Sequence, residues 1–142
     1  MPIPKITNKL VKSAEPVQLG WNLLVLSEVP RAQASSSGNS VNYFYDFTIE
    51  AGPGNSTENA EKSITYMVNG AALEAGITEV CGPYLQLMGA LTGLTAEELV
   101  DKEINENQLV GRKVWADIGE RIVEGKSYKD FKCFTPATQI PF

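Results

Sequence analysis

Residues 109–134, LVGRKVWADIGERIVEGKSYKDFKCF, alternate apolar and polar side chains on either side of a turn at Glu124-Gly125-Lys126. From Gln108 to Ile118, the residues Val114, Ala116 and Ile118 fall on one side, and Lys113, Trp115 and Asp117 on the other. From Tyr128 to Phe134, Phe131 and Cys133 oppose Tyr128, Asp130, Lys132 and Phe134. A period of two marks a strand with unlike faces, and two such runs around a short Gly-containing turn make an antiparallel hairpin. The chain is thus expected to be β-rich and closed by this hairpin, with Gly111 as a bulge where the first strand bends.

Upstream, Val41, Tyr43, Tyr45, Phe47 and Ile49 share one face, against Asn42, Phe44, Asp46, Thr48 and Glu50 on the other. This is a strand with one buried and one wet face. Ile64, Tyr66 and Val68 repeat the alternation before Asn69-Gly70, which predicts a neighbouring strand. Val17 to Leu26 predicts an earlier one, with Val17, Leu19, Trp21, Leu23 and Val25 as its apolar face and Trp21 in the core. Pro30 ends it, and residues 34–40, ASSSGNS, have the composition of a flexible loop. Ala71 to Leu91 shows helical spacing, and Gly82-Pro83 predicts two pieces with Pro83 in the first turn of the second. Thr95-Ala96-Glu97-Glu98 spells a capping box opening a short acidic helix to about Ile104.

Three strands, helices and two more strands are the order of an oligonucleotide/oligosaccharide-binding barrel. The expected fold is β-rich α+β: an OB-fold-like five-stranded antiparallel barrel with a helical insertion between strands 3 and 4. A different small α+β sheet of five strands remains open. Residues 1–16, interrupted by Pro2, Pro4 and Pro16, are expected as an extended arm, 17–137 as a single domain and 138–142 as a tail.

With 142 residues, 43% hydrophobic and 20% charged, the chain can bury a core without disulfides or metals. MPIPKITNKLVK has lysines with no apolar block after them, and no apolar run nears the ~18 residues of a membrane span; a cytoplasmic protein without a secretory leader is expected. Cys81 and Cys133 are expected as buried thiols. With no histidine and no CxxC pair, neither a thiolate–imidazole metal site nor a histidine general base is available, so no cofactor and no enzyme activity are expected. The carboxylates Glu97, Glu98 and Asp101 are accounted for by a helix start.

Net charge is −5, but it is segregated. Asp46 to Glu106 holds eleven acids and two lysines, a local −9, whereas the segments before and after each carry +2. Only the closing hairpin interleaves cations with aromatic rings. Single-stranded nucleic acid is bound by such a mixture, cations tracking phosphates and rings stacking on bases. The same rings would serve equally to cap the open end of the core, with the lysines merely solvated.

Leu109-Val110-Gly111-Arg112-Lys113-Val114, Gly125-Lys126-Ser127-Tyr128 and Phe134-Thr135-Pro136 resemble the closing stretch of small bacteriophage early proteins, which carry an L-x-G-K/R-x-V strand, a G-K-x-Y turn and a terminal F-x-P. Leu87 to Thr95 is similar to that family's L-x-A-L-x-G-L-T piece, with Met88-Gly89 inserted. The resemblance covers residues 17–137. It implies non-enzymatic single-stranded-DNA binding of low sequence specificity in phage replication or recombination, on an OB-like barrel in the host cytoplasm. The tail TPATQIPF lacks the acidic residues by which such proteins often recruit partners. The expected binding residues are Arg112, Lys113, Trp115, Lys126, Tyr128, Lys129 and Lys132, joined by Arg31 and Phe44. Expected partners are single-stranded DNA, phage or host replication proteins and further copies of the chain. Two other functions stay open: an interaction or inhibitor module using the acidic central segment, and an assembly protein linked through its ends.

Overall fold

Glu124 (φ 51) and Gly125 (φ 78) both adopt left-handed backbone, as a two-residue hairpin turn with the twist of its strands requires. The computed structural model describes residues 5–8, 11, 17–36 and 38–141. In chain order the elements are β1 (Gly20–Leu26), β2 (Arg31–Ala34), β3 (Val41–Ala51), β4 (Ser63–Asn69), α1 (Gly70–Glu74), α2 (Thr78–Thr92), α3 (Ala96–Leu99), β5 (Lys113–Val123) and β6 (Lys126–Pro136). Short 3-10 turns occupy Pro53–Asn55 and Glu106–Leu109. Most of the expected 1–16 arm, and Phe142 of the tail, lie outside the described residues.

The strands form one antiparallel six-stranded sheet. Along one edge β3 pairs with β2 through Val41–Phe44 and with β1 through Phe47–Ala51, and along the other it pairs with β4. β1 pairs on its far side with β5, and β5 with β6. Among the described residues no ladder joins β4 to β6. The inner faces supply Leu24, Leu26, Tyr45, Phe47, Ile49, Ile64, Tyr66, Val68, Val114, Ala116 and Ile118 to one core, which α2 covers with Leu87, Met88 and Leu91. Side-chain bonds anchor that helix. Arg112 Nη1 donates to the Leu91 carbonyl (2.7 Å), a cation placed on the negative helix end, and Gln86 Oε1 accepts from the Phe134 amide of β6 (3.0 Å). Among the described residues no helix is long and apolar enough to cross a membrane.

Several expectations are corrected. The inner face of β1 is Asn22, Leu24 and Leu26, all at 0% exposure, while Trp21, Leu23 and Val25 are half-buried on the outer face. A buried asparagine disguised the inward alternation. β2 forms between Pro30 and the expected 34–40 loop, overlapping it only at Ala34, so the strands number six. The helical break lies at Gly76 (φ 71), and Pro83 sits inside α2, where it forfeits its own amide's bond. The Thr95–Glu98 capping box is present, but the helix it opens stops at Leu99. Gly111 (φ 89) lies in the turn before β5, and the bulge falls later, between Asp117 and Ile118. There Asp117 pairs with Cys133 and Ile118 with Phe131, leaving Lys132 as the extra residue. The shift brings Phe134 into the core beside Phe131 and leaves Cys133 half-buried outside it.

Asn22 belongs to a buried polar cluster. Asn59 Nδ2 donates to Asn22 Oδ1 (2.6 Å) and Asn59 Oδ1 accepts from Gln18 N (2.9 Å) and Lys62 Nζ (3.0 Å). Asn22 Nδ2 donates to the Gln18 and Gly20 carbonyls, both at 3.1 Å. The cluster ties the start of β1 to the β3–β4 connection, and Gly52 lies so close that a Cβ would sit 3.2 Å from Asn59 Nδ2. Asn59→Ala leaves buried partners unsatisfied and is expected to cost about 1–3 kcal/mol. The check is a urea titration: a lower midpoint at unchanged slope is expected, and an unmoved midpoint contradicts the cluster's role.

Tyr66 lies 5.2 Å, centroid to centroid, from both Phe131 and Phe134, and the Tyr45 and Tyr84 hydroxyls are 3.2 Å apart. Burial, then Tyr84 and Cys81, push the Tyr66 phenol up to about 12, and burial raises Tyr45 as well. The unfolded chain releases these protons near pH 10 while the folded one holds them. Their stabilising contribution is thus complete below about pH 10 and is lost as pH rises toward 12. Thermal midpoints are expected to fall across that window, with the folded protein's tyrosinate absorbance lagging behind that of the five tyrosines in denaturant. A folded protein whose five tyrosines all titrate near pH 10 refutes this.

Candidate nucleic-acid interface

β5 and β6 outrun the sheet. The last β5 residue paired with β1 is Ile118, opposite Gly20, and from Gly119↔Asp130 to Val123↔Lys126 the two strands pair only with each other. The result is a two-stranded ribbon whose residues 120–130 are all exposed. Arg121 stands opposite Tyr128 and Val123 opposite Lys126 on the outer face; Glu120 stands opposite Lys129 and Ile122 opposite Ser127 on the other. Lys132, extruded by the bulge, lays its stem across Gly119, where a Cβ would meet Lys132 Cε at 2.5 Å. The outer face of the ribbon thus gathers Arg121, Lys126 and Lys132 around Tyr128, with Asp130 as its acid. Among the described residues none of Arg121, Lys126, Lys129 and Lys132 forms an ion pair.

Other expected site residues lie elsewhere. Lys113 is at the opposite end of β5, ten residues from Val123 and on the order of 30 Å away, and Arg112 just precedes it. Arg112 is engaged at the end of α2, and Lys113 Nζ pairs with Glu50 Oε1 at 2.7 Å. Trp115 is 2% exposed, between Leu23 and Thr135 of the neighbouring strands. A ring so enclosed offers no face to a base, which corrects its expected role as a stacking platform. Lys126, Tyr128, Lys129 and Lys132 remain together, and the cationic surface shrinks to the ribbon.

Arg31 and Phe44 mark a second surface, the outer face of β2, β3 and β4. Arg31 is directly opposite Phe44, and Phe44 opposite Met67, which makes one row across three strands. Arg31 Nε and Nη2 donate to the two carboxylate oxygens of Asp46 at 2.8 and 3.0 Å, and Thr65 Oγ1 donates to Asp46 Oδ1 at 2.7 Å. The guanidinium lies over the Phe44 ring, 5.0 Å from its centroid. The Arg31 hydrogen bonds, with help from Thr65, hold the Asp46 carboxyl below the usual carboxylate range. The next row, Gln33, Asn42 and Asn69, is amide throughout. On the same face, Val25, Thr48, Ile49, Glu50, Ala60 and Glu61 line a shallow pocket of about 340 Å³, whose two glutamates disfavour phosphate.

Asp46, Thr65, Met67 and the amide row escaped the sequence reading because nothing in one strand names its neighbour's register. Arg121 escaped too, although counting outward from the Glu124-Gly125 turn places it opposite Tyr128. Elsewhere the exposed acids Glu97, Glu98, Asp101, Glu103 and Glu106 surround α3, where Glu98 is used in the capping box. Cys81 and Cys133 are free thiols, half-buried rather than buried.

No protein-family model matches this chain, and no curated protein matches it in sequence.

Trp115→Ala empties a packed site and is expected to cost about 3–5 kcal/mol, more than loss of a surface ring. Thermal or urea unfolding measures it, and wild-type stability in this variant returns Trp115 to the surface.

Proposed function

We propose that the chain binds single-stranded DNA without catalysing a reaction and with little sequence preference, in bacteriophage replication or recombination in the host cytoplasm. The observation that carries this is the projecting ribbon, where, among the described residues, Arg121, Lys126 and Lys132 stand without ion pairs on the face of Tyr128 and Lys129 does so on the other face. In a chain of net charge −5, a projection whose four cations outnumber its acids Glu120, Glu124 and Asp130 suits a polyanion. Tyr128, 47% exposed, supplies a flat ring beside them.

An OB-like barrel is the proposed form of the sheet. The ladders β1–β3, β3–β4, β1–β5 and β5–β6 are four of the five that such a barrel uses. Tyr66 of β4 touching Phe131 and Phe134 of β6 supports closure through rings at the remaining seam. The helical connection between β4 and β5 suits the same topology. The proposed partners beyond DNA are replication proteins of phage or host and further copies of the chain.

A second reading, docking to a basic protein, is favoured by the exposed acids around α3 with Val100 at 69% exposure among them. Labelled oligo-dT titrated at two salt concentrations separates the two. The DNA reading expects binding that weakens steeply with salt, because phosphate contacts release counterions. Absence of binding at low salt overturns it. In the Lys126→Ala/Lys129→Ala variant the logarithmic salt slope is expected to shrink by about 1.4, from about 0.7 per lost phosphate contact. Tyr128→Ala is expected to cost about 1–3 kcal/mol of binding with folding intact.

A further inference from the structure

The geometry points to the Arg31 guanidinium as a base-stacking platform on the β2–β3–β4 face, a site distinct from the ribbon; this rests on the single-stranded DNA reading. A guanidinium is flat, and stacks on π systems as an ammonium does not. Here its plane is held by two opposed constraints. Its central carbon sits over the Phe44 ring, 5.0 Å from Cζ to ring centroid, and Asp46 grips the edge through Nε and Nη2. Asp46 is fixed in turn by the Thr65 hydroxyl at 2.7 Å. Such a clamp restricts the freedom of an arginine side chain before any ligand arrives, which removes part of the ordering cost of binding.

The second face of the guanidinium is turned to solvent, the Arg31 side chain being 53% exposed. Two of its five N–H donors are spent on Asp46, and the rest are directed away from the carboxylate. A base laid on that face would extend a stack of Phe44, guanidinium and nucleobase. Met67, 51% exposed, borders the stack on β4. The neighbouring amides have capacity left: Asn42 Oδ1 accepts from Asn69 Nδ2 at 2.8 Å, which leaves the Asn42 amino group to meet a base edge. Asp46 is paired with Arg31 and Glu50 with Lys113, while Glu28 lies within electrostatic reach of the guanidinium. In this division of labour the ribbon holds phosphates and one base on Tyr128, and the clamp holds another base, with Asp46 as a positioning residue acting through Arg31.

The test compares wild type, Arg31→Lys and Asp46→Asn in titrations with oligo-dT and with an abasic oligonucleotide of equal length, at two salt concentrations. Arg31→Lys keeps the charge and loses the plane. It is expected to weaken oligo-dT binding about tenfold, to leave the salt slope unchanged and to narrow the preference for dT over the abasic strand by the same factor, Tyr128 supplying what remains. Asp46→Asn is expected to weaken dT binding in the same direction, because the plane is no longer gripped. Thermal melts accompany each variant, since the pair is exposed and both should fold. If Arg31→Lys binds dT as wild type does, or weakens dT and abasic strands equally, the platform is overturned while the DNA reading survives. If wild type binds neither strand at low salt, the DNA reading itself falls and the platform with it.

Discussion

Lys132 is the residue that β6 has in excess. Without it, strict alternation from Phe131 would turn Cys133 inward and Phe134 outward. With it, two rings three positions apart, at 131 and 134, both enter the core and stack 5.6 Å apart at an interplanar angle of 15°. Tyr66 of β4 packs edge-on against both, so the two ends of the sheet meet through side chains. The same irregularity turns the Lys132 stem onto Gly119, where a Cβ would push that flexible stem aside. One inserted residue thus sets an inner aromatic seam and an outer cation at a single place.

The opposite side of the sheet depends on polar chemistry. Buried amides are costly unless paired, and Asn22 and Asn59, at 0% exposure, satisfy each other and the backbone around Gln18. Directional bonds of this kind fix where β1 enters the sheet, and apolar contacts, which have no preferred direction, then fill the space above it. The outer face of β3 is arranged by the same logic, with Asp46 serving both Arg31 and Thr65.

Much of this was legible in the sequence. β3 and β4 were readable residue by residue because period-two alternation survives wherever one face is wet. The Thr95 capping box was readable because its bonds are local. What could not be read was whatever depended on a partner strand or on an irregularity. Asn22 masked the inner face of β1, and a bulge reassigned Cys133 and Phe134. β2, only four residues long and exposed throughout, forms because β3 supplies it with an edge. At the site, proximity in sequence is not proximity in space: Lys113 and Lys126 lie at the two ends of one hairpin, and Trp115 between them is enclosed. Arg31 and Phe44 were named singly, and only strand register joined them to Asp46, Thr65 and Met67.

The ribbon beyond Ile118 has a thermodynamic consequence of its own. A two-stranded ribbon with no third strand and no covered face is marginal by itself. Its amides will therefore exchange with solvent through local fraying, while those of β1 and β3 wait for global opening. Ribbon and core then behave as separate cooperative units. Whatever settles on Tyr128 and its lysines can quench that fraying without perturbing the body of the sheet, and its apparent affinity includes the free energy needed to still the projection.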